Sequence, residues 1–402
     1  MNVVPFFEKW LKDLAADQLA DGSVPHVIPD IPEAGYASAA WGDAAVICPW
    51  TLYQCYGDIR VLEQQYPSMK AWVEYIRSQG EHEYLWNTGF HYGDWLGLDA
   101  KENSYVAATP RDLIATAYYA YSTQLLAQTA EVIGQAEDAG KYRDLHGQIV
   151  RAFREEFVTG TGRVASPTQT AYALALMFDL LEEKDRPRTA GMLAEHIREN
   201  GVHLTTGFVG TPYLCHVLSR FGYTDLAYEL VLQQEYPSWL YSVLQGATTI
   251  WEHWDGIKPD GSFWSDDMNS YNHYAYGAVG DWLYRNAGGI ELLEPGYRKI
   301  RIQPQPGQHL TWAEASFDSV YGTITSSWFR QPDGSLELKV NIPANTTAEI
   351  ILPVGERNGI LESGAVLDQS PGIFSIEETA GGCKLAAGSG SYHFKLASYT
   401  EY

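Results

Sequence analysis

Ala287-Gly288-Gly289-Ile290-Glu291-Leu292-Leu293-Glu294-Pro295-Gly296-Tyr297 divides the chain into two kinds of sequence. A Gly-Gly pair and a Pro-Gly pair bracket a short apolar run, and such dipeptides mark turns. Beyond it come short runs with period-two alternation at 299–303, 323–330, 335–342, 347–352, 384–385 and 392–396. Turns such as Pro332-Asp333-Gly334 and Pro343-Ala344-Asn345 separate them. Short alternating strands between turn signals predict an antiparallel β-sandwich.

Before the divide the period is helical. Phe6, Phe7, Trp10, Leu11 and Leu14 open the chain at helical spacing, and Leu62, Tyr66, Met69, Trp72, Val73 and Ile76 share one face of 61–79. Pro110 precedes a helix expected over 111–135, and Leu145, Ile149, Phe153 and Phe157 mark another over 141–158. Further helices are expected near 168–183, 185–199, 207–221, 224–234, 237–247 and 271–286. Long Gly/Pro/Asp-rich loops at 20–34, 87–103 and 255–269 interrupt them. About ten helices with mainly short connections predict an α/α toroid over 1–290, followed by the sandwich over 291–402. Long loops are where function concentrates.

Composition narrows the partners. Among 402 residues, 50 acidic against 27 basic give a net charge of −23, which repels phosphate backbones and anionic membranes. Neutral small molecules remain open. The 13 Trp and 27 Tyr suit a sugar-binding cleft, although core filling also uses such rings. Cys48, Cys55, Cys215 and Cys383 lack zinc-ligand spacing, so neither a metal site nor a disulfide framework is expected, and Cys48 and Cys55 read as buried thiols. No cofactor is implied. With no apolar run of membrane-spanning length and no signal-peptide pattern, the sequence as written predicts a soluble cytoplasmic protein.

Aromatic and acidic residues meet in four places: Trp41-Gly42-Asp43, His91-Tyr92-Gly93-Asp94-Trp95, Trp251-Glu252-His253-Trp254-Asp255, and Trp264-Ser265-Asp266-Asp267 leading to Asn272-His273. A Trp beside a carboxylate suits glycoside hydrolysis, because the ring packs on a sugar while the carboxylate moves a proton or activates water. Each pair taken singly also fits a helix cap beside a packed ring. No GxGxxG, Walker A, HExxH or GxSxG pattern offers another chemistry. His203 and His216 stand alone and read as structural.

Along nearly its whole length the sequence resembles the α-L-rhamnosidase family of inverting glycoside hydrolases. The resemblance rests on Phe6-Phe7-Glu8-Lys9-Trp10-Leu11, Ala40-Trp41-Gly42-Asp43-Ala44, Tyr92-Gly93-Asp94-Trp95-Leu96 and Thr206-Gly207-Phe208-Val209-Gly210-Thr211-Pro212. It is most specific in Ala247-Thr248-Thr249-Ile250-Trp251-Glu252-His253-Trp254-Asp255 and Ser270-Tyr271-Asn272-His273-Tyr274-Ala275-Tyr276. It implies an (α/α)6 catalytic domain and a C-terminal β-sandwich, with a terminal rhamnose of a glycoside or oligosaccharide as the substrate. Glu252 is similar to the family's general base. Trp41, Trp95 and His273 are similar to its sugar-lining residues, with Asp43, Asp94, Trp251 and Trp254 as neighbours.

The family's general acid lies in a stretch of the form Asp-Cys-Pro-Gln-Arg-Asp-Glu-Arg-Leu-Gly-Trp, which these 402 residues do not contain. The resemblance therefore implies an incomplete toroid, first helices missing, that is a poor hydrolase by itself. Two other readings stay open. One is a non-catalytic rhamnoside-binding protein or subunit that complements a separate N-terminal half. The other is a different (α/α)6 hydrolase, such as an unsaturated glucuronyl or trehalose-type enzyme, although the motif loops lack the basic clamp a uronate needs.

Overall fold

The computed structural model describes residues 2–31, 37–101, 104–353, 357–379 and 382–396. They form two compact units. One comprises residues 2–51 and 59–278; the other joins 52–58 to the chain from 279 onward.

The first unit is built from helices of two kinds. Helix α1 is Val4–Asp17, α2 Ala44–Tyr56 (its last residues in the other unit), α3 Ile59–Arg77, α4 Arg111–Val132 and α5 Ala136–Phe157. Then come α6 Gln169–Met177, α7 Arg186–Glu199, α8 Thr211–Arg220, α9 Thr224–Leu232 and α10 Trp239–Leu244. Helix α6 is buried from Gln169 through Leu176, and α4 is buried along most of its length. A helix apolar all round belongs inside; one with a single apolar stripe belongs outside. Helices α5 and α7 are of the second kind, burying Tyr142, Leu145, Ile149 and Phe153, and Ala190, Leu193, Ala194 and Ile197. Helix α5 follows α4 after Ile133-Gly134-Gln135, where Gly134 takes φ +77° to end the first helix. Helix α6 stops at Met177, short of the expected 183. Asp179, at φ +56°, breaks the period, and its carboxylate pairs with Arg186 (2.8 Å) and Arg220 (2.6 Å).

The predicted helix over 271–286 is the clearest difference from the sequence reading. Residues 271–274 are not helical; a 3₁₀ turn Ala275–Ala278, a short α11 Val279–Trp282 and a π-helical turn Leu283–Ala287 follow. His273 N–H donates to Ile250 O (2.8 Å) and Glu252 N–H to Ser270 O (2.8 Å), so this backbone is spent on the 250–252 segment. Cys48 and Cys55 are half-buried, less enclosed than expected, because they sit at the partly exposed edge of α2; Cys215 and Cys383 are buried.

In the second unit the strands are β1 Ile290–Leu292, β2 Lys299–Ile302, β3 Trp312–Ser319, β4 Gly322–Arg330, β5 Leu336–Ile342 and β6 Thr347–Leu352. They continue as β7 Ile360–Glu362, β8 Ala365–Val366, β9 Ile373–Thr379, β10 Gly382–Ala387 and β11 Gly390–Leu396. One sheet has the order β1-β2-β6-β10-β9 and the other β3-β4-β5-β11-β7-β8. Neighbouring strands are antiparallel, except that β2 pairs with β6 in parallel register, Ile300 opposite Ala348. The core takes Ile300, Ile350 and Leu385 from one sheet and Trp328, Leu338 and Phe394 from the other, all fully buried. Each such side chain contributes about 1.5–3 kcal/mol on burial.

Candidate active site

Four of the predicted residues, Trp41, Trp95, Glu252 and His273, are half-buried; Asp43, Asp94, Trp251 and Trp254 are buried. The division follows from local geometry.

Asp43 lies just before α2. Its Oδ2 accepts from Ala40 N–H (2.7 Å), and its Oδ1 accepts from Trp72 Nε1 (2.9 Å) and Ser122 Oγ (2.6 Å). Ala40 takes φ +70°, an uncommon conformation for a non-glycine residue, and the turn so formed presents Trp41 beside it. Gly42 lies under the Trp72 ring, where a Cβ would come within 2.3 Å of the indole. Burial pushes the Asp43 carboxyl above the usual range against the pull of its hydrogen bonds.

Asp94 is held more tightly. Gly207 N–H (2.8 Å) donates to Oδ2; Val209 N–H (2.8 Å) and Gly210 N–H (3.1 Å) donate to Oδ1; the Thr170 hydroxyl donates to Oδ2. The three backbone donors precede α8, where a carboxylate complements the helix dipole. Burial again raises the carboxyl against those bonds. The same loop carries Phe208, whose N–H donates to Trp95 O (2.9 Å), and Gly207 is required because a Cβ would meet that oxygen at 2.2 Å. Leu96, at φ +58°, turns the chain directly after Trp95.

Glu252 sits on an open segment between two buried tryptophans. Trp254 stacks on Tyr276 (centroids 3.9 Å apart) and meets Trp239 edge-on; Trp251 meets Tyr271 edge-on. Ser270 N–H donates to Glu252 Oε2 (2.9 Å), returning the bond that Glu252 N–H makes to Ser270 O. This reciprocal pairing brings His273 beside Glu252. Burial lowers the His273 pKa and brings that of His253 down to about 4, while the neighbouring Glu252 charge opposes both. Both rings are therefore neutral near pH 7, each able to donate through one nitrogen and accept through the other.

Ring contacts tie the pieces together. Trp41 meets Tyr92 (4.7 Å) and Tyr92 meets Trp95 (5.4 Å). Trp95 continues to Tyr105 (5.3 Å), Tyr105 to Trp264 (5.9 Å), and Trp264 stacks on His253 (3.7 Å). On the other side Phe208 stacks on His273 (4.8 Å) and meets Tyr276 (5.3 Å). One aromatic tract thus joins the loops that carry Trp41, Trp95, Glu252 and His273. Tyr105, Phe208 and Tyr276 were not singled out as site residues in the sequence; only Phe208 and Tyr276 lie within the motif stretches.

Buried beside this tract, His253 Nε2, Trp254 Nε1, Asn269 Oδ1 and Tyr276 OH have no protein partner among the described residues. Among the described residues no cluster of three or more His, Cys, Asp or Glu is arranged to hold a metal ion. No helix among them is long and apolar enough to cross a membrane.

The chain as a whole has known relatives. Residues 1–287 match the model of the bacterial alpha-L-rhamnosidase 6 hairpin glycosidase domain, and residues 289–366 that of the bacterial alpha-L-rhamnosidase C-terminal domain. An alpha-L-rhamnosidase of Streptomyces avermitilis is 40% identical over 397 residues, covering 98% of this chain and 36% of the relative. The crystal structure of S. avermitilis alpha-L-rhamnosidase complexed with L-rhamnose superposes with a TM-score of 0.90 at 39% identity, over 98% of this chain and 36% of that one. The native enzyme of Aspergillus terreus gives 0.89 at 34% identity, over 99% and 44%. The chain thus spans less than half the length of each.

Proposed function

The chain belongs to the bacterial α-L-rhamnosidase six-hairpin glycosidase family, and on that premise we propose that it supplies the base side of an inverting α-L-rhamnosidase site. The catalytic part is taken as residues 1–290 and the sandwich as 291–402. Glu252 accepts a proton from water as the water oxygen bonds to the anomeric carbon. The bond from that carbon to the leaving oxygen breaks, and a general acid protonates the leaving oxygen. Trp41 and Trp95 pack on the apolar edge and methyl group of a terminal rhamnose, and His273 bonds a ring hydroxyl. Asp43, Asp94, Trp251 and Trp254 hold these groups in place without touching the sugar.

The observation that carries this reading is the half-buried Glu252, fixed through Oε2 by one backbone N–H beside a neutral His273. The family's acid-bearing stretch is not among these residues, and general acid help is worth about 10²–10⁴-fold, so the 402-residue polypeptide by itself is proposed to be a weak hydrolase.

The test is hydrolysis of an aryl α-L-rhamnoside by an enzyme that joins this chain to an acid-bearing N-terminal part, with Glu252→Gln beside it. The parent should release β-L-rhamnose first, as seen by proton NMR. The variant should lose about 10²–10⁴-fold in kcat while still binding rhamnose. Release of α-L-rhamnose, or an unchanged kcat in the variant, would refute the assignment. The binding-protein reading is favoured instead if the parent binds rhamnose and never turns over.

A further inference from the structure

We propose that the strand-bearing unit holds a second ligand site, for a neutral, hydroxyl-rich molecule of mono- or disaccharide size. It lies where Tyr56, the turn around Gly280–Arg285 and strand β3 surround a pocket of about 450 Å³. That volume is within the range of small-molecule sites. The pocket belongs wholly to this unit and is independent of Glu252 and its loops.

Its walls combine the two chemistries that a sugar ring needs. Tyr297 and Phe317 meet at 4.5 Å, and Tyr284 stands 44% exposed beside them, giving apolar faces for C–H groups. Arg285 and Asp281 pair through Nε (2.9 Å), which fixes a cation and an anion side by side and leaves the terminal amino groups of the guanidinium to donate elsewhere. The Arg285 side chain is 46% exposed, so those groups are reachable. Asp318, anchored through Oδ1 by Thr323 Oγ1 (2.7 Å), adds a second acceptor. A hydroxyl donates and accepts at once and finds both partners here. Two carboxylates against one guanidinium disfavour an anion. A cationic ligand would have to displace Arg285 from Asp281. A neutral polyol meets neither cost.

The backbone around the pocket is unusual on two sides. Residues 283–287 form a π-helical turn, a feature that recurs at functional sites. Gly296 and Tyr297 both take positive φ, +76° and +63°, and for a bulky residue such as tyrosine that conformation is held only where the surroundings demand it.

Gly280 provides a test that leaves the fold intact. It lies at ordinary helical φ in the pocket wall, and a Cβ added there meets nothing within 4 Å. Gly280→Leu should therefore fill the pocket without strain. Saturation-transfer NMR of the 402-residue chain is read with D-glucose, L-rhamnose, D-glucuronate and D-glucosamine in turn. Circular dichroism verifies folding of each variant. At least one neutral sugar should give a response that falls about tenfold in Gly280→Leu and in Arg285→Met and persists in a Trp41→Ala, His273→Ala double variant. No response to any neutral sugar would overturn the proposal. So would unchanged response in the two folded pocket variants, complete loss in the double variant, or stronger response to either charged sugar.

Discussion

Two loops of the helical unit each set a carboxylate beside a tryptophan, Asp94 next to Trp95 and Glu252 next to Trp251, and the carboxylates are held in opposite ways. Asp94 accepts three backbone N–H bonds and a hydroxyl and is completely buried. Glu252 accepts one backbone N–H and keeps an accessible side. A carboxylate whose lone pairs are all engaged organises backbone; one bonded on a single oxygen is oriented and still able to take a proton. Asp43, with two side-chain donors and one backbone donor, falls on the Asp94 side of the contrast.

This contrast is measurable as stability. Asp94→Ala orphans three buried N–H groups and should cost about 4 kcal/mol in urea unfolding followed by Trp fluorescence; a loss under about 1 kcal/mol would erase the distinction. Asp43→Asn keeps the shape but sets an amide N–H₂ against at least one donor, Ala40 N–H, and about 2 kcal/mol should be lost in the same assay.

The pH response sharpens the same point through His91, whose Nδ1 accepts from Ala39 N–H (3.2 Å) and whose Nε2 bonds Thr88 O (3.1 Å). Burial brings its pKa down from 6.5 to about 4. Between these values the unfolded chain binds the extra proton and the folded chain does not. The contribution is therefore whole above pH 6.5 and is lost as pH falls towards 4. His91→Asn, which keeps an acceptor for Ala39, should flatten the stability–pH slope in that window by about 1 kcal/mol per pH unit. An unaltered slope would remove His91 from the account. Smallest of all, Glu252→Gln should shift stability by less than about 0.5 kcal/mol; a larger loss would place Glu252 with the framework carboxylates.

The sequence made much of this legible, for reasons that differ by region. One-faced helices such as α5 declare themselves through period, and so do strands rich in β-branched and aromatic residues, such as β6. Strand β3 was missed because Ala313 and Ala315 carry its inward face while Glu314, Ser316 and Asp318 carry the outer one, a composition that does not favour strands. The helix expected over 271–286 does not form at 271–274, because these residues pair with 249–252 instead. At the candidate site, motif spacing picks out the loops that the fold gathers but does not by itself rank their acids. What separates Asp43 and Asp94 from Glu252 is donors 76 to 116 residues away, at Ser122, Thr170, Gly207, Val209 and Gly210, apart from the nearer Ala40 and Trp72. Phe208 lies in a motif stretch, yet its contact with His273 is not legible there, since it arises only through the loop that Asp94 gathers.

Gly42 and Gly207 carry a consequence for anyone redesigning this protein. On the proposed reading, the half-buried rings of Trp41, Trp95 and His273 are the positions to exchange for another sugar. The floor beneath them closes at two points where even a methyl group strikes Trp72 or Trp95 O. Libraries aimed at new specificity should therefore vary the roof and freeze those two glycines, because diversity spent on them yields unfolded members rather than altered ones.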